Sequence, residues 1–89
     1  MFVVSKGIER LDIQGIEIEE LRFSGTGLEN TTVIGDDIFK GKISLDNLSG
    51  YFPKLEGFRE VGKLNIGYLG LNGGSIEIGN IRKINGDFS

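Results

Sequence analysis

An all-β fold of the short β-solenoid type is what this sequence predicts, and three features predict it. Ten consecutive apolar residues fall five apart, running from Val3 through Ile8, Ile13, Ile18, Phe23, Leu28, Val33, Ile38 and Ile43 to Leu48. That period belongs neither to a 3.6-residue helix nor to the two-residue alternation of a flat strand. Fifteen glycines against one proline are spread through 89 residues rich in Ile and Leu. This is the composition of short strands joined by frequent turns. From Leu11 to Phe23 the apolar spacing runs two, three, two, three. Residues two apart face the same side of an extended segment, and a step of three needs a corner. Repeated strand and corner wind a chain into a coil in which each unit buries its apolar face only by stacking on its neighbours.

The first array, residues 5–50, reads from Leu11 in blocks of five: LDIQG, IEIEE, LRFSG, TGLEN, TTVIG, DDIFK, GKISL, DNLSG. The third residue of each block is apolar. LRFSG-TGLEN-TTVIG and DNLSG resemble the pentapeptide-repeat family, whose blocks read Ala-(Asp/Asn)-Leu-x-x, and the resemblance covers about half the chain. It implies a right-handed, four-sided β-helix. The family prefers a small residue at the first position of a block, where this chain has Leu11, Ile16 and Leu21, then Asp36, Gly41 and Asp46. With four blocks to a coil, residues twenty apart stack: Ile8 over Leu28, Ile13 over Val33, Ile18 over Ile38, Phe23 over Ile43, Glu20 over Lys40 and Glu17 over Asp37.

Residues 51–63 (YFPKLEGFREVGK) interrupt the period. Pro53 can open a short helix, Leu55, Phe58 and Val61 recur every three, and Gly62 can close it, so the expectation is a helical or loop interruption, or a cap. The spacing resumes in a second array, residues 64–89, where Leu64 echoes Ile84, Asn65 echoes Asn85 and Tyr68 echoes Phe88. Two rivals stay open. Val61, Leu64, Ile66, Leu69 and Leu71 fit part of a leucine-rich-repeat strand. Asn72-Gly73-Gly74 and Asn85-Gly86 are hairpin turn signals, which makes a small antiparallel sheet or barrel the principal alternative.

The chain has no cysteine and no histidine. That removes thiol nucleophiles, thiolate metal sites and the usual general base at neutral pH. The expectation is a protein that is not an enzyme and holds neither cofactor nor metal. Asp36-Asp37 lacks the spacing of a calcium loop, and Glu17, Glu19 and Glu20 on one strand make no cleft for acid–base catalysis. No glycine cluster has phosphate-loop spacing. MFVVSKG is too short for a signal-peptide core, and no stretch approaches the length of a membrane span. A cytoplasmic location without membrane contact is expected.

Charge is uneven. Between Glu9 and Asp37 eight carboxylates face two arginines, a net −6, while the rest of the chain carries +3. This argues against direct nucleic-acid binding and for a protein partner or a second copy of the chain. The expected partner-binding residues are Glu17, Glu19, Glu20, Asp36, Asp37 and Phe39. Phe39 belongs with them because it points outward if Ile38 points inward, which would make a contact patch with Ile34. The expected function is thus a protein-interaction or assembly module acting through its surface or its open strand ends. The alternative comes from the resemblance: some pentapeptide-repeat proteins mimic duplex DNA, which implies that the acidic half could inhibit a DNA-handling protein.

Overall fold

A computed structural model of the protein describes residues 1–50, 53–67, 69–71 and 81–86. Nine strands and no helix occupy these residues: β1 (Phe2–Val4), β2 (Arg10–Asp12), β3 (Glu20–Thr26), β4 (Thr32–Ile34), β5 (Ile38–Gly50), β6 (Lys54–Glu56), β7 (Glu60–Ile66), β8 (Leu69–Leu71) and β9 (Lys83–Ile84). The sheet order is β1-β3-β5-β7-β9, with β8 also pairing β5, and β2-β4-β6 form a second sheet. Every pairing among the described residues is parallel. Parallel neighbours cannot be joined by a tight turn and need a long crossover. In the first three circuits that crossover is a strand of the other sheet: β2 lies between β1 and β3, β4 between β3 and β5, and β6 between β5 and β7.

The parallel pairing overturns the antiparallel alternative. The turn expected at Asn72-Gly73-Gly74 lies outside the described residues, as do Tyr68 and Phe88. At Asn85-Gly86 the Asn85 N–H donates to the Val61 carbonyl at 2.9 Å and continues the parallel ladder past β9, and the residues after Gly86 lie outside the described ones. Asn85 therefore does not stack on Asn65. Its side-chain amide instead donates to Glu60 Oε1 at 2.7 Å.

Strands in register place like residues in columns. Leu11, Val33 and Leu55 share one column of the second sheet. In the first sheet Leu21 aligns with Ile43 and Leu64, Phe23 with Leu45 and Ile66, and Phe39 with Val61 and Ile84. These columns face each other and make the core, in which Leu21, Phe23, Val33, Ile43 and Val61 have no solvent exposure. Burying them is the main stabilising term available to a chain without disulfides.

The step between stacked residues is 22, as from Leu11 to Val33 and from Val33 to Leu55, and not the 20 that four blocks of five would give. It is 22 again from Leu21 to Ile43 and 21 from Ile43 to Leu64. Glu20 consequently lies beside Lys42 and not Lys40. The step is 19 from Phe2 to Leu21, and the register shifts between Phe23 and Gly25 and between Phe39 and Lys42 each change it by one residue. An extra residue at a bulge bends the strand and changes which side chain faces in.

The apolar series divides in the structure. Ile13, Phe23, Leu28, Val33 and Ile43 are buried, Ile8 and Ile18 are half-buried, and Val3 and Ile38 are exposed; the Leu48 side chain is outside the described ones. The expectation for Phe39 is reversed. Phe39 aligns with Val61 in the core and is 6% exposed, whereas Ile38 aligns with Glu60 and is 56% exposed.

The expected helical or loop interruption at 51–63 is also corrected, Tyr51 and Phe52 lying outside the described residues. Lys54, Leu55 and Glu56 form β6 in register with Thr32, Val33 and Ile34, and β7 begins at Glu60. Leu55, Phe58 and Val61 are all buried, so their spacing of three marks a strand, a corner and a strand. The corner is made by two consecutive left-handed residues, Gly57 (φ 84°) and Phe58 (φ 48°), which no right-handed helix accommodates.

No helix among the described residues is long and apolar enough to cross a membrane.

Candidate functional site

The circuit step brings residues from 15–18 and 36–41 to one side of the molecule. The segment after β2 turns at Gly15 (φ 75°), and the Ile16 N–H donates to the Ile13 carbonyl at 3.1 Å. Gln14 is tied in by its N–H to Asp12 Oδ1 at 3.0 Å. Opposite this turn the chain leaves β4 through Gly35 and enters β5 at Ile38. Between them opens a pocket of about 240 Å³, walled by Ile16, Ile18, Ile38 and Phe39 and rimmed by Glu17, Asp36 and Lys40. Ile16 and Ile38 are each 56% exposed and line the same concavity.

Asp36 is the fixed point of this pocket. Its Oδ1 and Oδ2 accept the Gly15 N–H at 3.2 and 3.1 Å. Its carbonyl accepts the Phe58 N–H at 3.0 Å from the following circuit. One residue thus joins three successive layers, which holds its carboxylate in place at the rim. Asp37 points elsewhere and pairs with Arg59 Nε at 3.9 Å, both side chains being well exposed. A pair so exposed contributes little, about 0–1 kcal/mol.

Glu19 and Glu20 border a second, shallower groove of about 520 Å³ with Lys40, Lys42 and Lys63. Its lining includes Gly41, Gly62 and Gly86, where successive circuits come close. A Cβ at Gly62 would lie 2.2 Å from the Lys40 carbonyl oxygen, and one at Gly86 would lie 2.6 Å from that of Gly62. Glu20 accepts a 2.6 Å hydrogen bond from the Ser44 hydroxyl, which is wholly buried, and lies 3.7 Å from Arg22 Nη2. The Ser44 hydrogen bond, with the charges of Lys42 and Arg22, holds the Glu20 carboxyl below the usual carboxylate range against an opposing effect of burial.

A pH-dependent prediction follows. A carboxylate with a depressed folded-state pKa contributes stability that is present above the ordinary carboxylate range and is lost as pH falls through the folded value. Ser44→Ala is therefore expected to destabilise the protein at neutral pH by about 1.5–3 kcal/mol, the usual worth of a hydrogen bond to a charged group. The lower end applies, because the Glu20 side chain is 23% exposed and can regain water. The difference between Ser44→Ala and the native chain, measured by urea denaturation, should shrink as pH is lowered below the carboxylate range. A difference that is constant with pH would remove Glu20 from the account.

The six residues expected to bind a partner therefore separate. Glu17 and Asp36 rim one pocket, Phe39 forms its buried back wall, Glu19 and Glu20 border the other groove, and Asp37 is in an ion pair. Ile16, Ile38, Lys40, Lys42 and Lys63 were not among them. The signal for Ile16 was its alternation with Ile18 around Glu17; Ile38 is exposed because it lies five residues from buried Ile43 in the same strand, which puts the two on opposite faces. Among the described residues no group of three or more carboxylates is placed to hold a metal ion.

No family model matches the chain, and neither a curated protein nor a solved structure matches it. The likeness to pentapeptide repeats is carried by the blocks alone.

Proposed function

We propose that this protein is a short, pentapeptide-repeat-like β-solenoid that works as a non-enzymatic, cytoplasmic assembly module, associating with further copies of itself through the end of its strand stack. The observation that carries the reading is the character of the β1 edge. Among the described residues β1 pairs only with β3, and β2 only with β4. Met1 is 72% exposed, Val3 42% and Phe2 38%, although Phe2 stands in the core column above Leu21. The ends of repeat stacks ordinarily carry polar caps, and exposed edge strands are ordinarily blunted by charge or proline. This edge has neither within β1. The alternation of strands between two sheets and a recurring step of 19 to 23 residues between paired positions support the solenoid part of the reading.

The expected result is concentration-dependent association in sedimentation velocity. It should persist at 1 M salt, where screening is about 3 Å in place of about 10 Å at 0.1 M, because strand pairing and apolar contact are not long-range electrostatics. Replacing Phe2 and Val3 together by Lys should give a monomer with an unchanged far-ultraviolet circular dichroism spectrum. A native chain that stays monomeric at high concentration would overturn the proposal. If it also bound basic proteins in a salt-sensitive manner, the acidic DNA-mimic reading would replace it.

A further inference from the structure

The pocket between the Gly15 turn and the start of β5 combines features that the assembly reading does not use. We propose that it is a receptor for one basic side chain with an apolar stem, an arginine or lysine of a partner polypeptide. The walls contributed by Ile16 and Ile38 come from separate segments of the chain, and both side chains are 56% exposed. Isolated exposed aliphatics need no explanation, but two that share a concavity do. The volume, about 240 Å³, lies below the roughly 300–1,000 Å³ of small-molecule sites. It suits a single side chain.

Charge selects which side chain. Glu17 and Asp36 stand at the rim, and Lys40 is the one cation among the lining residues. The Asp36 carboxylate is held by the Gly15 N–H at 3.1 and 3.2 Å. Each carboxylate oxygen has two lone-pair sites, so acceptor capacity remains for an incoming donor. Its orientation is set before a ligand arrives, which lowers the cost of binding. A long basic side chain lays its methylenes on apolar surface while its charged head reaches polar groups, and a guanidinium presents paired donors to a carboxylate. The isoleucine walls with a carboxylate rim match both halves of that side chain. A purely aliphatic group matches only the walls, and a free anion matches neither.

The test is a titration of the native chain with butylguanidinium and butylammonium, with butanoate as the anionic control, followed through amide shifts in ¹H–¹⁵N spectra. Both cations should move the amides of Gly15, Ile16 and Ile38 saturably, and butanoate should not. Glu17→Gln should weaken binding about two- to fivefold, as expected for an exposed charge contact. Ile38→Ser should weaken the butyl cations while leaving guanidinium ion itself little changed. Lys40→Gln should strengthen binding about two- to fivefold, a gain that general damage to the fold would not produce. Equal shifts with butanoate, no saturable shift with either cation, or weaker binding in Lys40→Gln would each overturn the proposal. The outcome is independent of association through β1, because the probes are small molecules and their shifts are read at the pocket whether or not the chain self-associates.

Discussion

Replacing Phe58 by Ala is expected to destabilise the protein by about 3–5 kcal/mol, the range for removing a fully buried phenylalanine. Phe58 has no solvent exposure, and its ring meets Phe39 edge-on at 5.4 Å and 70°. It also fills the place where Gly35 has no side chain: a Cβ built on Gly35 would lie 2.3 Å from Phe58 Cζ and 2.5 Å from Cε1. The contact spans two circuits, from the exit of β4 to the entry of β7, so losing it loosens two layers. A domain of this size holds only about 0.05–0.15 kcal/mol per residue of net stability. The loss is therefore a large share of the total, visible as a reduced urea midpoint.

Phe58 has φ 48°, which costs an L-residue about 1–2 kcal/mol and is retained in the Ala variant. Phe58→Gly should accordingly be less destabilising than Phe58→Ala, by about 1 kcal/mol, despite the same lost ring. Gly35→Ala alone should destabilise through overpacking. In the Phe58→Ala background its Cβ enters vacated space, giving a coupling of about 1–3 kcal/mol in a double-mutant cycle. Additive effects of Gly35→Ala and Phe58→Ala would show that ring and glycine do not share that space.

The second large effect is expected at Gly57. Its φ of 84° strains any L-side chain, and a Cβ there would lie 2.2 Å from the Gly35 carbonyl oxygen and 3.0 Å from its carbon. Those atoms are backbone in a parallel ladder and cannot swing aside. Gly57→Ala therefore combines about 1–2 kcal/mol of left-handed strain with about 1–3 kcal/mol of overpacking. Gly15 separates the two causes. It has φ 75° with nothing within 4 Å of an added Cβ, so Gly15→Ala carries the strain alone. Equal destabilisation of Gly57→Ala and Gly15→Ala in urea denaturation would mean that the close approach between circuits is unimportant.

The all-β class, the short strands and most of the core are legible in the chain. Abundant glycine with Ile and Leu excludes long helices, and a step larger than two but repeated in sequence requires corners. Ile13, Phe23, Leu28, Val33 and Ile43 were identifiable as buried because they lie where five-residue spacing and true register coincide. Residues 53–63 misled because apolar residues three apart suit a helix as well as they suit a strand, a corner and a strand. Only the left-handed pair Gly57 and Phe58 distinguishes these, and phenylalanine gives no local hint of a positive φ.

The candidate site was legible as chemistry and not as geometry. Glu17 and Asp36 are visible as acids, but they are nineteen residues apart, and only the 22-residue circuit sets them on one rim. By itself the sequence determined composition, charge, the absence of cysteine and histidine, and the tendency to form short strands. Those are local properties, carried by each residue wherever it lies. The tertiary structure alone decided the parallel pairing, the circuit length, and that Phe39 is buried while Ile38 faces solvent. Strand pairing joins residues far apart in the chain, and only once residues 38–50 form one continuous strand do Ile38 and Ile43 fall on opposite faces, so those outcomes depend on how the layers stack.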